Sequence, residues 1–435
     1  MAQKAAVGIL GLGTVGSGVI RILEDHRQEL THQTGCEIYA KKILVQDASK
    51  QRSVNVEGTT LTENAADVLQ DPEIQIVIEV MGGIEESRNY ILQSLQSKKH
   101  VITANKDVMA LHGTELLQAA EENGCWLLYE ASVAGGIPVI RGMTEGLAGD
   151  RISRIMGIMN GTTNYILTKM FQDERDYDEV LVEAQELGFA ESDPTSDVDG
   201  LDAARKIAIL ARLGFSMNVE LEDVEVEGIR GVTTEDMQYC AQLGYSLKLI
   251  GLAKRVEDRI ELTVQPMLIP NDHPLASVQD EYNAVYIHGE AVGETMFYGP
   301  GAGSLPTATA IVSDLTAVVK NMMLGAVGST VSKPLHTKAL QNNEEVESKY
   351  FIRLHVKDQT GTFDDLSSLF KKEDVGFDKL QQWPLEEENG AASEVVIITH
   401  STNRAAYERI YHELENMDVV IDVKSTYRVE GGKVS

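Results

Sequence analysis

The residues best suited to chemistry crowd into Gly188-Phe189-Ala190-Glu191-Ser192-Asp193-Pro194-Thr195-Ser196-Asp197-Val198-Asp199-Gly200-Leu201-Asp202, followed by Lys206. Five carboxylates fall within twelve residues there, and an apolar-periodic helix begins at the end of the stretch. Asp202 and Lys206 stand four apart and share one helical face. Ala203, Ile207 and Leu210 mark the neighbouring face as buried. An ion pair at the start of a helix, under an acidic loop punctuated by Gly and Pro, can bind an amino group and handle a proton. A solvated i,i+4 salt bridge is the plainer alternative.

Gly11-Leu12-Gly13-Thr14-Val15-Gly16 follows the apolar run 5–10 and precedes a helical pattern carrying Val19, Ile20 and Leu23. In that setting a G-x-G-x-x-G motif cradles the pyrophosphate of a dinucleotide. Gly11 permits the tight turn, Gly13 lets backbone approach, Gly16 lets helix lie on strand, and the helix N-terminus offers unpaired N–H groups. A glycine turn without a ligand is the alternative. The signals for NAD against NADP conflict. Asp47 can accept a ribose hydroxyl, whereas Lys50 and Arg52 can hold a 2′-phosphate.

Three more stretches could serve a site. Thr103-Ala104-Asn105-Lys106 follows a strand directly, which puts Lys106 at the carboxyl edge of a sheet, as a ligand contact or as a solvated charge. Glu130-Ala131-Ser132-Val133-Ala134-Gly135-Gly136-Ile137-Pro138 ends a strand and opens a helix. Its carbonyls and the Glu130 carboxylate suit a hard cation, and a turn capped by Glu130 is the alternative. Tyr298-Gly299-Pro300-Gly301-Ala302-Gly303-Ser304-Leu305-Pro306-Thr307 is a second glycine-rich loop, opening onto a helix from Ala308. It either approaches a cofactor from the opposite side or is a plain surface loop.

The elements that must position these residues follow from the pattern. Short apolar runs at 38–45, 74–80, 100–103 and 126–129 alternate with helical stretches such as 87–96 and 113–122, which predicts a parallel sheet with right-handed crossovers over residues 1–134, completed by about 300–325. From Arg151 a second, α+β domain is expected over 135–340, with strands at 152–159, 264–268 and 284–288. Asn160-Gly161-Thr162-Thr163-Asn164 is a turn able to cap the next helix. The polar stretch 341–349 is expected to be a linker. Beyond it, strands at 350–356, 377–382, 395–399 and 420–429 and helices at 363–372 and 405–416 give βαββαβ, a ferredoxin-like third domain over 350–430.

At 435 residues two or three domains are expected, and hydrophobic and charged contents of 43% and 24% are those of a globular protein. A net charge of −29 argues against nucleic acid or anionic lipid as partners. Cys36, Cys125 and Cys240 form neither a metal pattern nor a disulfide framework, and the N-terminus lacks signal-peptide features. The uncharged stretch 295–313 is broken by Pro300 and Pro306 and is no membrane helix. The expected compartment is the cytoplasm.

These blocks together resemble the monofunctional homoserine dehydrogenases that carry a C-terminal ACT domain, over essentially the whole chain. The most specific match runs from Ala184 through Gly188-Phe189-Ala190, Asp193-Pro194, Asp197-Val198, Gly200 and Asp202 to Lys206. The blocks at 103–106, 130–133 and 160–164 match as well, and the form expected is the one without an aspartate kinase segment ahead of Met1. The resemblance implies interconversion of L-homoserine and L-aspartate 4-semialdehyde with NAD or NADP, in threonine, methionine and isoleucine biosynthesis. It implies Lys206 as acid/base, Asp202 orienting it, Glu191 and Asp197 in the substrate pocket, and Lys106 between cofactor and substrate. Gly11, Gly13, Thr14, Val15, Gly16, Gly188 and Gly303 would contact the cofactor. Glu130 with the carbonyls of Val133, Gly135 and Ile137 would hold a structural sodium ion.

Two departures stand out: Gln46 where relatives often carry arginine, and Thr360-Gly361 where ACT domains often carry Pro-Gly. An amino-acid effector at the ACT domain is expected, as is a homodimer or homotetramer, because a middle-domain sheet leaves an edge or face to cover. Two rival functions are another NAD(P) oxidoreductase of amino-acid metabolism and an inactive amino-acid sensor. The segment 184–206 opposes the first, and intact Lys106, Asp202 and Lys206 oppose the second.

Overall fold

The computed structural model describes residues 3–328, 333–385 and 391–431. The chain divides into two compact units. The first comprises Met1–Gly161, Asp202–Val224 and Tyr282–Lys338, the second Thr162–Leu201, Glu225–Glu281 and Ala339–Ser435.

In the first unit, strands β1 (Gln3–Leu10), β2 (Cys36–Leu44), β3 (Thr60–Thr62), β4 (Ile74–Glu79), β5 (His100–Thr103) and β6 (Leu127–Leu128) lie parallel in the order β3-β2-β1-β4-β5-β6. Parallel strands are covered on both faces, which is why Ile76-Val77-Ile78 and Val101-Ile102 run apolar without alternation. The order reverses between β1 and β4, and the crevice outside their carboxyl ends is where ligands bind in such sheets. The helices Thr14–Asp25 and Ser304–Met323 share one core with the sheet, through Val19, Ile20, Ile311, Leu315 and Val318. The α/β expectation therefore holds for this sheet.

Boundaries differ in ways that have local causes. The helix expected at 113–122 begins at Lys106, because the Asn105 side chain accepts the Val108 N–H and caps it. The second glycine-rich loop is shorter than expected, since Gly293–Pro300 is an antiparallel strand on Tyr282–Gly289, itself paired with Ile152–Ile158. The following helix starts at Ser304, not Ala308.

In the second unit the short strands Glu225–Val226 and Thr402–Asn403 pair with Arg259–Pro270 and Glu347–Lys357 respectively. The strands Tyr245–Val256, Arg259–Pro270, Val420–Val429, Glu347–Lys357, Ala392–Thr399 and Phe377–Leu385 lie side by side in that order. The last four, with helices Thr362–Lys372 and Arg404–Glu415, have βαββαβ order. Alternate residues Ile352, Leu354, Val395 and Ile397 meet Leu366, Phe370, Ile410 and Leu414 of those helices in one core. The expected linker is not free: Gln341 donates its N–H to Ile260, and the strand has begun by Glu347. Main-chain pairing overrides the polar composition of that stretch. Among the described residues no helix is long and apolar enough to cross a membrane.

Candidate active site

The helix Leu201–Phe215 buries Ala203, Ala204, Ile207, Ala208, Leu210 and Ala211, and this packing carries Asp202 and Lys206 inward on its first turns. Asp202 is 5% exposed and Lys206 9%, so the pair is not a solvated surface bridge. Lys206 Nζ donates to Asp202 Oδ2 at 2.6 Å and to the Met159 carbonyl at 2.6 Å. Lys106, first residue of the helix Lys106–Asn123, places its Nζ 3.3 Å from Asp202 Oδ1. A second bridge, Arg205 to Asp107 at 2.6 Å, joins the same two helix starts.

Two ammonium groups thus share one buried carboxylate. Burial pushes the Asp202 carboxyl up, but Lys206, Lys106 and the Asn160 amide outweigh it and hold the group at about 2. Burial pulls Lys106 down, and Asp202 and Asp107 more than reverse this, leaving it raised. The cluster sets two cations on one buried carboxylate, and a fixed cation stabilises negative charge developing on a substrate oxygen.

The glycine motif lies at the carboxyl end of β1. A Cβ on Gly16 would stand 2.4 Å from the Gly11 carbonyl, so glycine is required for the helix to lie on the turn. Nothing lies within 4 Å of a Cβ on Gly13, which faces open space at the N-cap of the helix begun by Thr14 and Val15. Ser304, next to Gly303, donates its hydroxyl to the Thr14 carbonyl at 2.7 Å, which brings the second glycine-rich loop to the first. After β2, Asp47 Oδ1 accepts the Ser49 N–H at 2.8 Å and its O–H at 2.6 Å. Arg52 donates to the Asp47 carbonyl, and Lys50 is exposed.

In the turn after β6, Glu130 Oε1 accepts the Ile140 N–H at 2.7 Å and Oε2 the Arg141 N–H at 2.8 Å. Its carboxylate is therefore a cap for the helical turn Val139–Arg141, the plainer of the two roles open to this residue. The Ile137 carbonyl accepts the Val139 N–H at 2.8 Å. Gly135 adopts φ +54° and lies so close to the Gly301 carbonyl that a Cβ would stand 2.4 Å from it. Among the described residues no group of three His, Cys, Asp or Glu could hold a metal ion.

Gly188, Glu191 and Asp197 belong to the second unit, whereas Lys106, Asp202 and Lys206 are gathered in the first. The acidic loop is pinned at Phe189, whose carbonyl accepts the Thr162 hydroxyl at 2.6 Å and whose ring lies 4.7 Å from that of Tyr165. Gln185 donates to the Glu191 carbonyl at 3.0 Å, and Asp197 lies on the helical turn Thr195–Val198.

Sequence reasoning gave Asn160 only as part of a capping turn and a matching block, not as a partner of Asp202, and it missed the Met159 carbonyl and Arg205. It also passed over Glu79, fully buried at the end of β4, which accepts from Thr103 at 2.6 Å and from the Met81 N–H at 3.0 Å. An acidic residue closing the apolar run 74–78 was the available signal.

A parallel sheet with this strand order, a glycine-lined helix start and two lysines on one buried aspartate define a dinucleotide-dependent oxidoreductase. Residues 11–130 match the family model "Homoserine dehydrogenase, NAD binding domain", and residues 138–316 match "Homoserine dehydrogenase". The chain is 55% identical to the homoserine dehydrogenase of Bacillus subtilis (strain 168), over 98% of each. It superposes on the solved homoserine dehydrogenase of Thiobacillus denitrificans with a TM-score of 0.92 at 38% identity, covering 98% of both chains. A hyperthermophilic archaeal homoserine dehydrogenase solved with NADPH shares the fold, with a TM-score of 0.62 at 24% identity over 75% of this chain and 100% of that one. The chain belongs to the homoserine dehydrogenase family, whose members are NAD(P)-dependent oxidoreductases.

Proposed function

We propose that this enzyme interconverts L-aspartate 4-semialdehyde and L-homoserine, with Lys206 as acid/base. The observation that carries the reading is the buried Asp202 carboxylate with Lys206 on one oxygen and Lys106 on the other. Bound NAD or NADP supplies or accepts the hydride. Gly11, Gly13, Thr14, Val15, Gly16, Gly188 and Gly303 would hold it, and the open space beside Gly13 fits a pyrophosphate. In reduction the Lys206 ammonium gives its proton to the aldehyde oxygen as that oxygen gains negative charge, and in oxidation the amine takes it back. Lys106 adds a second cation beside that oxygen. Asp202 would orient the Lys206 ammonium and bind substrate, and the family resemblance gives Glu191 to the substrate ammonium, with Asp197 lining the same pocket.

The reading extends to a three-domain division: 1–134 completed by about 300–325, 135–340, and 350–430. In it the βαββαβ module is an ACT domain for an amino-acid effector, and the chain is a cytoplasmic homodimer or homotetramer of threonine, methionine and isoleucine biosynthesis. A sodium ion would rest on the main-chain oxygens of Val133, Gly135 and Ile137, with Glu130 fixing the turn. The test follows absorbance of reduced nicotinamide when purified protein meets L-homoserine with NAD or NADP, beside Lys206→Ala. Turnover lost in the variant supports the reading. No turnover with either cofactor, in folded protein that still binds dinucleotide, sinks it.

A further inference from the structure

Asn160 lies between the strand Ile152–Ile158 and the helix that starts at Gly161, and it is 5% exposed. Its local context suits a helix cap, yet its side chain reaches 42 residues along the chain, where Nδ2 donates to Asp202 Oδ2 at 2.9 Å. That oxygen also accepts from Lys206 at 2.6 Å. The neighbouring Met159 carbonyl takes a second Lys206 proton at 2.6 Å. Two consecutive residues therefore hold both members of the pair, a main-chain oxygen on the lysine and a side-chain amide on the aspartate.

An ammonium has three N–H donors in tetrahedral array. With two committed to Met159 and Asp202, the direction of the third is set by where Asp202 stands. The Asp202 carboxylate is fixed in turn by Asn160 on Oδ2 and Lys106 on Oδ1. The charged groups around it are Lys106 and Asp107 from one helix and Arg205 and Lys206 from the other. The 159–160 segment contributes a neutral donor where a carboxylate would add a second anion.

We infer that Asn160 is a positioning residue for proton transfer, aiming the uncommitted Lys206 proton by holding Asp202. This rests on the acid/base role proposed for Lys206. The experiment uses the full chain as wild type, Asn160→Ala, Asn160→Asp, Lys206→Ala and Asn160→Ala/Lys206→Ala. It measures kcat and KM for L-homoserine oxidation across pH, dinucleotide affinity by fluorescence, and Tm.

Asn160→Ala should lose roughly tenfold to a hundredfold in kcat, a share of the general acid–base contribution, with dinucleotide affinity unchanged. Asn160→Asp keeps the shape, so it carries the test even where the alanine variant folds poorly. Its added negative charge should move the rising limb of the oxidation profile to higher pH by about one unit. In the Lys206→Ala background the second substitution should cost nothing further, because residues acting as a unit are non-additive. Asn160 variants within about twofold of wild type, an unmoved limb, or equal losses in both backgrounds would overturn the inference. Full turnover by Lys206→Ala would overturn the Lys206 reading itself, an outcome distinct from normal rates in the Asn160 variants alone.

Discussion

Asp314 and Glu130 illustrate how one buried residue sets the state of another. Asp314 is 2% exposed, accepts the Glu130 N–H at 2.9 Å, and meets Arg141 Nη2 at 2.7 Å. Burial pushes its carboxyl up to about 7 against the pull of that N–H and of Arg141. An acid raised in the folded state holds its proton where the unfolded chain has lost it, so stability falls as pH climbs from 3.8 to about 7. Three pKa units correspond to on the order of 4 kcal/mol. Asp314→Asn removes that titration, so its Tm relative to wild type should rise between about pH 4 and about pH 7 and then level off. A difference that stays flat would mean that Arg141 keeps the carboxylate ionised throughout. At this scale the sequence displayed Asp202, Lys206 and Lys106 through helical spacing and strand ends. Asn160 and Asp314 stayed hidden, because their partners lie 42 and 184 residues away and no local pattern encodes that distance.

Elements were legible where burial is two-sided. The apolar runs of β1, β4 and β5 fix a parallel sheet, and Gly11-x-Gly13-x-x-Gly16 fixes the turn and helix after β1. The strand Gly293–Pro300 was not legible, because its burial alternates along a sequence rich in glycine and ending in proline, which reads as loop. The two inner glycines make a contrast that separates binding from folding. Gly13→Ala adds a methyl to open space and should keep the wild-type Tm while weakening dinucleotide binding roughly tenfold or more. Gly16→Ala meets the Gly11 carbonyl and should also destabilise by about 1–3 kcal/mol. Equal losses of Tm in both would refute the distinction. In the second unit, the helix Thr234–Gln242 packs on the βαββαβ sheet through Arg353, which bridges Asp236 at 2.9 Å and Glu394 at 2.6 Å. Arg353→Met leaves two buried carboxylates without their cation and should cost about 3–5 kcal/mol in denaturant unfolding. A parallel Arg353→Met/Asp236→Asn/Glu394→Gln variant should recover part of that loss. A single variant costing under about 1 kcal/mol would show the bridge to be dispensable.

Taken whole, the molecule carries a net charge of −29 over 435 residues, and self-repulsion of that size works against any compact state. The screening length falls from about 10 Å at 0.1 M salt to about 3 Å at 1 M, so added salt should raise Tm whatever its cation. Choline chloride, KCl and NaCl at equal ionic strength should then give a common rise. A sodium ion on the turn that contains Val133, Gly135 and Ile137 would add to this by mass action, because a ligand bound only by the folded chain stabilises it further as its concentration exceeds the dissociation constant. The excess in NaCl should saturate, whereas screening continues to grow with ionic strength. Glu130→Gln keeps the side chain's size but weakens its hold on the Ile140 and Arg141 amides, so it should lose the sodium excess and keep the common rise. Identical curves in all three salts would sink the cation site while leaving the charge argument standing. A Tm insensitive to salt would show that the ion pairs spread over the surface already offset the excess of carboxylates.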